Sequence, residues 1–292
     1  MAQRNLALVV NPVAGGGAAS ALTDPVRERL ESFGAAVQVV AETSAEQTRT
    51  AVAHIARSGV DGIVALGGDG LVHQLLQELA GTDVPLAIVP VGTGNDLAAA
   101  FAIPTDPLAA ADLLATGQVR PVDAVRCGGT WWGSVLCSGF DSAVNERANR
   151  MRWPRGPRRY DIALLAELAA LGPREFTIEY DGQRWSGPAI LVAIGNTGQY
   201  GGGYRMVSQA DPADGRLDLT IVRPVGRIEL VRMLPKVKAG THLSHPAVTT
   251  LQATTISLES EGMVGYADGE RIGELPLRMQ IAPGALRLWV PA

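Results

Sequence analysis

The sequence predicts two domains: an α/β domain with a parallel sheet, followed by a mostly antiparallel β-sandwich. Over roughly the first 120 residues, short apolar runs alternate with helical patterns at the spacing of βα units. After Pro121, Asp-Gly and similar turns separate shorter runs with strand character. We therefore assign residues 1–121, together with a returning last strand at 285–292, to the first domain, and residues 122–284 to the second.

Four strands are predicted in the first domain, each followed by a helix. Parallel strands covered on both faces are typically continuous apolar runs. The candidates are "LALVV" (6–10), "AAVQVVAET" (35–43), "GIVAL" (62–66) and "PLAIVPV" (85–91). Their alternation with helices predicts a parallel sheet with helices on both faces.

Capping residues mark the predicted helix starts of this domain. The pairs Asp24-Pro25 and Asp106-Pro107 each predict an N-cap followed by proline at the first helical position. Ser44 and Gln47 have the spacing of a capping box. Gly34 predicts the end of the helix that begins after Asp24.

Turns of the hairpin type dominate the predicted second domain, and two helices interrupt its strands. The helical patterns lie near residues 158–171 and 227–239. The turn pairs are Asp181-Gly182, Asp214-Gly215, Glu261-Gly262, Asp268-Gly269 and Pro283-Gly284.

Composition excludes several classes of protein. The net charge of −4 gives no global attraction to nucleic acid, so we expect no nucleic-acid partner. Two cysteines, Cys127 and Cys137, make neither a disulfide framework nor a metal-ligand spacing. No segment approaches the ~20 apolar residues that span a bilayer. We expect a cytoplasmic protein that is soluble or rests on a membrane surface.

Three glycine-rich loops follow predicted strands of the first domain: "NPVAGGG", "GGDGL" and "VGTGND". They fall at the carboxyl edge of the sheet, where α/β proteins bind ligands, and glycine-rich turns before helices commonly bind phosphate. The loops have no P-loop lysine and do not complete G-x-G-x-x-G. This excludes a P-loop enzyme and an ordinary dinucleotide-binding oxidoreductase.

Six motifs in order resemble those of diacylglycerol kinases and sphingosine kinases, in particular the soluble bacterial lipid kinases of that group. They are "NPVAGGG", "GGDG", "PVGTGNDLA", "GNTGQYGGGYRM", "ADPADGRLDL" and "YADGE", and they span nearly the whole chain. The resemblance implies an ATP-dependent lipid kinase with ATP held between a nucleotide-binding domain and a β-rich lipid-substrate domain. It implies diacylglycerol, phosphorylated to phosphatidic acid, as the leading lipid substrate.

The resemblance also implies a set of ATP contacts. By match to the family motifs these are Asn11, Gly15, Gly16, Thr43, Gly67, Gly68, Asp69, Gly70, Leu71, Val72, His73, Thr93 and Asn95. Leu71 departs from the pattern, because the family usually has threonine after "GGDG". A hydroxyl near the phosphates is lost, whereas the backbone N–H groups that do most of the phosphate binding remain.

An aspartate among phosphate-binding glycines is explained if its charge faces a metal ion. Phosphoryl transfer needs charge stabilisation, which Mg²⁺ held by carboxylates supplies where no loop lysine exists. Asp69 is the candidate, and the alternative is that it caps the helix that follows. The resemblance implies a Mg²⁺ ion at a second acidic turn, bound by the side chain of Asp214 and by the backbone carbonyls of Asp211 and Arg216.

Glu270, in "YADGERI", is the candidate general base for the lipid hydroxyl. The resemblance implies this role, because a glutamate at this place is the proposed base in the bacterial members of the family. Asp69 is the competing base, by analogy with the eukaryotic sphingosine kinases. The sequence leaves the choice between the two carboxylates open.

A basic segment, "ERANRMRWPRGPRRY" (146–160), is a candidate for transient docking on an anionic membrane. Six arginines alternate with Met151, Trp153 and Tyr160, which suits attraction to headgroups with an aromatic ring at the interface. The alternative is a solvated basic loop. A second candidate is residues 230–246, where basic and apolar residues share a predicted helix.

Two other functions compete with the lipid kinase. An NAD kinase shares a "GGDG" loop and a similar plan, but "PVGTGNDLA" and the late "DGE" favour the lipid branch. A catalytically weak nucleotide-binding regulator that docks on membranes is supported by Leu71 alone, and the retention of Asp69, Asp214 and Glu270 argues against it. The sequence leaves homodimer formation and the identity of the lipid open.

Overall fold

The computed structural model describes residues 3–42, 44–151, 153, 158–170 and 172–292. The first part is the predicted α/β domain, with strands β1–β4 in parallel in the order β2-β1-β3-β4. Strands β1, β3 and β4 are buried almost throughout, as expected for a sheet covered on both faces. The elements are β1 Asn5–Val10, α1 Ala18–Glu31, β2 Ala36–Val40, α2 Ala45–Arg57, β3 Gly62–Gly67, α3 Asp69–Leu79, β4 Leu86–Pro90, α4 Asp96–Ala100 and α5 Pro107–Thr116.

The second part is mostly antiparallel and contains two facing sheets, which confirms the predicted fold class. The smaller sheet has the order β12-β11-β10-β7-β14-β15, and the larger sheet continues from β4 through β16, β13, β8 and β9. The elements are β5 Gln118–Cys127, β6 Thr130–Trp132, β7 Val135–Gly139, α6 Phe140–Arg150, α7 Arg158–Ala169, β8 Arg174–Tyr180, β9 Gln183–Ala189, β10 Leu191–Gly195, β11 Leu217–Val222, α8 Arg227–Ala239, β12 Val248–Ala253, β13 Thr255–Glu259, β14 Val264–Ala267, β15 Glu270–Glu274 and β16 Leu277–Val290.

Strand β16 joins the two parts. It pairs antiparallel with β5 and β13, and it pairs parallel with β4 through Leu288 and Leu86. Its end packs into the core of the first domain, with Trp289 5% exposed. This supports our proposal that residues 285–292 belong to the first domain. The proposed boundary at 121 runs inside β5, where Val122 packs in the first core and Val125 in the second.

The start of α1 differs from the prediction. The helix begins at Ala18, directly after a run of glycines with positive φ, and Pro25 lies inside it. Asp24 is therefore not its N-cap. The proline is tolerated because it lies on the exposed side, where the carbonyl of Ala21 that loses its amide partner reaches water. The caps at Ser44 and Asp106 are confirmed, since each side chain accepts a backbone N–H three residues on.

Helix α6 was not predicted. It follows β7 without a loop, and Ser142 caps it by accepting the N–H of Gly139 and donating to the Gly139 carbonyl. Val144 and Ala148 are its buried aliphatic positions, a stripe too narrow to give a helical signal in the sequence. The predicted helices near 158–171 and 227–239 are confirmed as α7 and α8.

Two of the five predicted hairpin turns join adjacent antiparallel strands. Asp181-Gly182 joins β8 to β9 and Asp268-Gly269 joins β14 to β15, and both residues of each pair have positive φ. Glu261-Gly262 instead links strands in different sheets, and Asp214-Gly215 precedes β11. Pro283-Gly284 is a bulge inside β16, because the strand continues straight past it along β5.

No helix in the described ranges has the length and apolar character needed to cross a bilayer.

The packing of Trp289 gives a test of the proposed domain division. A side-chain carbon added at Gly62 of β3 would lie 2.5 Å from the indole ring, so the ring fills the space that this glycine leaves. We expect Trp289→Ala to lower the free energy of unfolding by about 3–5 kcal/mol, measured by urea denaturation. Trp153→Ala is the control, because that ring is 81% exposed. If both substitutions had equally small effects on the free energy of unfolding, the last strand would not be part of the first domain's core.

Candidate active site

The three glycine-rich loops meet at the carboxyl edge of β1, β3 and β4, backbone against backbone. A side-chain carbon at Gly15 would lie 2.5 Å from the carbonyl oxygen of Val91, and one at Gly68 would lie 2.9 Å from the Cα of Gly92. Such approaches require glycine at both places. Gly15 and Gly16 also have positive φ and lead into the N-terminus of α1, where N–H groups without helical partners favour an anion.

Asp69 holds the "GTGND" loop. Its Oδ2 accepts the backbone N–H of Asn95 at 2.7 Å, and its Oδ1 accepts that of Asp96 at 2.7 Å. These are the first amides of α4, so Asp69 caps α4 and not α3, the helix it begins. Asn95 completes the loop, since its side-chain amide bonds to both the N–H and the carbonyl of Gly92. Burial, and after it the charge of Asp96, raise the pKa of Asp69 to about 6.

Asp96 links the two domains and is a site residue that sequence reasoning missed. Its Oδ2 accepts the N–H of Gly201 at 2.7 Å and its Oδ1 accepts the N–H of Gly202 at 3.0 Å. Both glycines belong to the loop after β10, in the second domain. Burial raises the pKa of Asp96 despite these two bonds. Its presence in the "GTGND" motif was the available signal.

Asp268 is the second missed residue, because its Asp-Gly turn explained it as an ordinary hairpin residue. It accepts the backbone N–H groups of Gly133 and Ser134, each at 2.9 Å, and also the Ser134 hydroxyl. Nδ1 of His73 in α3 lies 3.2 Å from its Oδ2. Burial pushes the pKa of Asp268 upward, but the bonds from His73, Ser134 and Gly133 outweigh it and hold the pKa below its usual value.

Glu270 lies against the central phosphate loop. It is exposed at the start of β15, and a side-chain carbon at Gly70 would lie 3.4 Å from its Oε1. Its carboxylate makes no hydrogen bond or ion pair with any residue in the described part of the chain. The structure therefore brings both candidate bases to the central loop: Asp69 accepts two backbone amides, whereas Glu270 has no bonding partner among the described residues.

The acidic turn at 211–216 is held by hydrogen bonds to its own side chains and to Asp123. Oδ1 of Asp211 accepts the N–H of Ala213, and Oδ1 of Asp214 accepts the N–H of Arg216. The buried Asp123 of β5, another residue missed in the sequence, accepts the N–H groups of Gly215 and of Gly284 in β16. Among the described residues no group of three or more His, Cys, Asp or Glu side chains is arranged to hold a metal ion.

The remaining predicted contacts are distributed around these loops. Leu71 and Val72 are buried, and the Leu71 side chain lies under Gly67, so this position offers the phosphates only its backbone. Thr93 is exposed at the rim of the cleft. Asn11 anchors its loop by donating its N–H to the Leu66 carbonyl. Thr43 lies outside the described residues.

Comparison with known proteins places the chain in a family. Residues 5–127 match the diacylglycerol kinase catalytic domain, and residues 134–290 match the YegS C-terminal NAD kinase beta sandwich-like domain. A protein named diacylglycerol kinase from Mycobacterium tuberculosis (strain ATCC 25618 / H37Rv) is 40% identical, over 97% of this chain and 94% of its own. The chain belongs to the diacylglycerol kinase family.

Two further proteins match this chain over nearly its whole length. The diacylglycerol kinase of Bacillus subtilis (strain 168) is 28% identical over 92% of this chain and 90% of its own. A crystal structure of a diacylglycerol kinase from Bacillus anthracis str. Sterne matches the fold with a TM-score of 0.79, at 24% identity, and covers 99% of this chain and 97% of that one. The resemblance inferred from the six motifs is confirmed, and membership favours a lipid kinase over an NAD kinase.

The raised pKa of Asp69 predicts a pH dependence of ATP binding. Below about pH 6 a proton on this carboxyl replaces one acceptor with a donor facing the N–H of Asn95 or Asp96, so the "GTGND" loop loosens. We expect the ATP dissociation constant, measured by calorimetry between pH 5 and 8, to rise as the pH falls through about 6. In Asp69→Asn the ATP dissociation constant should be higher than in the wild type over the whole pH range and should depend less on pH.

The contribution of Asp69 to the free energy of unfolding should have the opposite pH dependence to ATP binding. The pKa of Asp69 is higher in the folded protein than its ordinary value of 3.8, so this group favours folding most below that value and its contribution is lost as the pH rises through about 6. Weaker ATP binding at pH 5.5 therefore reflects the loop and not unfolding of the protein. Superimposable pH profiles for the wild type and Asp69→Asn would contradict this role.

Proposed function

We propose that this protein transfers the γ-phosphoryl group of ATP to a hydroxyl of a lipid, with diacylglycerol as the leading acceptor and phosphatidic acid as the product. The observation that carries the proposal is the position of Glu270 beside the central phosphate loop, where its Oε1 would lie 3.4 Å from a side-chain carbon added at Gly70. This position sets a carboxylate of the second domain beside the loop of the first domain that suits the phosphates of ATP. Phosphoryl transfer requires the acceptor hydroxyl and the γ-phosphate to lie next to each other, and positioning and electrostatics supply most of the catalysis.

The nucleotide fits the edge formed by the three loops. In this proposal backbone N–H groups of residues 15–16 and 67–73 bind the phosphates, and Asn11, Thr43, Thr93 and Asn95 complete the site. The close backbone packing at Gly15 and Gly68 supports it, because side chains there would fill the space between the loops. Asp69 acts through Asn95 and Asp96, which it holds in place.

Mg²⁺ dependence is part of the proposal. Carboxylate and carbonyl oxygens are the ligands that Mg²⁺ prefers, and it commonly keeps several waters, so the turn at 211–216 fits without a third acidic side chain. Asp214 would bind with its side chain, and Asp211 and Arg216 with their carbonyls. When bound, the ion would offset negative charge on the triphosphate and polarise its bound water. Asp123 holds this turn against β16, which keeps its oxygens in a fixed arrangement.

Glu270 is the proposed general base. The lipid hydroxyl gives its proton to this carboxylate while its oxygen forms a bond to the γ-phosphorus, and the bond from that phosphorus to the ADP oxygen breaks. Glu270 is favoured over Asp69 because its oxygens are free, whereas each oxygen of Asp69 already accepts a backbone N–H. This assigns proton transfer to Glu270 and loop positioning to Asp69.

The function is tested by phosphate transfer from ATP with Mg²⁺ to a panel of diacylglycerol, sphingosine, undecaprenol and NAD. We expect diacylglycerol to be phosphorylated, with no transfer when Mg²⁺ is chelated. Glu270→Gln should lower kcat by about 10²–10⁴-fold, since a general base contributes that much, while ATP affinity stays within about threefold. Glu274→Gln is the matched control, an exposed glutamate on the same strand.

The possible outcomes separate the competing functions. Transfer to NAD alone would overturn the lipid assignment. ATP binding without transfer to any acceptor would favour the regulatory function. Full activity of Glu270→Gln would overturn the choice of base without affecting the choice of substrate.

We also propose peripheral docking on an anionic membrane. Helices α6 and α8 cover the face of the smaller sheet that is turned away from the larger one, and α7 packs on α6. Apolar side chains are exposed on this helical layer, together with arginines and lysines of α6 and α8. They are Trp153, Ile162, Leu165, Ile228 and Val231. Basic residues with exposed apolar groups suit an anionic lipid surface.

Docking is tested with vesicles. The predicted basic residues Arg152 and Arg155 lie outside the described residues, and Arg158 and Arg159 begin α7. We expect replacement of all four by glutamine to weaken binding to phosphatidylglycerol vesicles by at least about tenfold at low salt, since each charge near the surface contributes about 1 kcal/mol. The control replaces four exposed arginines on the larger sheet, Arg120, Arg126, Arg184 and Arg278. Equal losses in both variants, or none in the first, would reject this docking surface.

A further inference from the structure

His73 connects the helix of the phosphate loop to the hairpin of the candidate base. It lies in α3, one helical turn after Asp69, and its imidazole is largely buried, with 11% of the side chain exposed. Resting on the proposed function, we infer that His73 is a positioning residue for Glu270. It sets the distance between the base and the phosphates by holding Asp268, two residues before Glu270.

The hydrogen bonds determine which ring nitrogen carries the proton. Oδ2 of Asp268 is an acceptor 3.2 Å from Nδ1 of His73, and Nε2 of His73 is 3.4 Å from Nε2 of Gln77. The Gln77 amide orientation is set by Trp131, whose N–H donates to Oε1 and whose carbonyl accepts from Nε2. Both N–H groups of this amide have carbonyl acceptors, in Trp131 and in the backbone of His73, so the contact at Nε2 does not set the tautomer. Asp268 sets it, because its Oδ2 also accepts the N–H of Gly133 and acts as an acceptor, so Nδ1–H of His73 donates to it.

The other donors to Asp268 do not come from α3, and the bonds of Gln77 in α3 reach the second domain at Trp131 and not at Asp268. Gly133 and Ser134 belong to the second domain, as Asp268 does, so they fix the hairpin within its own domain. The opposite side of the hairpin is tied to Glu146 of α6 by Tyr266 and Arg271, again within the second domain. His73 is the donor to Asp268 that comes from the helix whose first turn carries Asp69 and Gly70.

Glu270 depends on that anchor for its position. Its carboxylate bonds to none of the described residues, so its place over Gly70 follows from the backbone of the hairpin. Asp268 and Gly269 both have positive φ, which makes the hairpin a tight two-residue turn that transmits a shift of Asp268 to Glu270. A displacement of about 1 Å at a reacting group costs about 10²-fold in rate. A missing bond at His73 should therefore affect turnover more than nucleotide binding.

Three variants test this role by kinase assay with the acceptor that the wild type phosphorylates. His73→Leu removes the donor, and we expect kcat per folded molecule to fall by about 10- to 100-fold while KM for ATP changes less than about threefold. His73→Asn keeps an N–H at the position of Nδ1 and should restore most of the lost kcat. His54→Asn, an exposed histidine of α2, is the control and should behave as the wild type.

The outcomes distinguish this inference from the proposed function. A wild type that phosphorylates no lipid overturns the function, whereas an active wild type with unchanged kcat in His73→Leu overturns only the role of His73. Equal losses in the Leu and Asn variants would show a requirement for the ring and contradict the hydrogen-bond argument. If His73→Leu does not fold, nitrogen NMR of the wild-type imidazole decides: a proton on Nδ1 is expected, and a proton on Nε2 with none on Nδ1 would overturn the inference.

Discussion

The site depends on buried carboxylates that accept backbone N–H groups across loop boundaries. Asp69 joins the central loop to the start of α4, Asp96 joins that start to the loop after β10, and Asp268 joins the last hairpin to the turn before β7. Bonds to an ionised acceptor are roughly twice as strong as neutral ones. They join segments that no helix or sheet hydrogen bonds connect to one another. Burial disfavours the ionised form of these carboxylates, as the pKa of about 6 at Asp69 shows. The hydrogen bonds to each carboxylate oxygen offset that cost.

Local signals in the sequence predicted the fold class and most of the elements. The buried strands, the caps at Ser44 and Asp106 and the two Asp-Gly hairpins follow from a few neighbouring residues, and the structure has them. The start of α1 and the helix α6 were missed because a glycine run overrode the Asp24-Pro25 signal and because α6 has a narrow buried stripe. Pro283-Gly284 became a bulge since β16 continues along β5, a pairing that no local rule contains.

The site was predictable where a motif carries its own chemistry. The glycine loops and Asp69 stand out by residue type and position, Glu270 was indicated by the family resemblance, and the structure brings them together. Asp96 and Asp268 were missed because their partners are 105 and 134 residues away in the chain. The alternative that Asp69 caps a helix was right about the type of interaction and wrong about the helix, since the amides that it accepts are at the start of α4. In the sequence, an aspartate that only forms a turn cannot be distinguished from one that anchors a distant loop, because the N–H donors of the second are brought to it by the fold.

The same carboxylates explain why a metal ion suits this cleft better than a loop lysine. Burial is the main cause of the raised pKa values of Asp69 and Asp96, and the charges of neighbouring carboxylates, Asp96 and Asp268, raise them further, so the region already has a negative potential. A lysine there would form ion pairs with these side chains and draw them away from the amides that fix the loops. A triphosphate adds further negative charge, and the bound carboxylates cannot turn to neutralise it. A cation that arrives with the nucleotide balances both charges and leaves the backbone hydrogen bonds intact, which supports the proposed Mg²⁺ dependence.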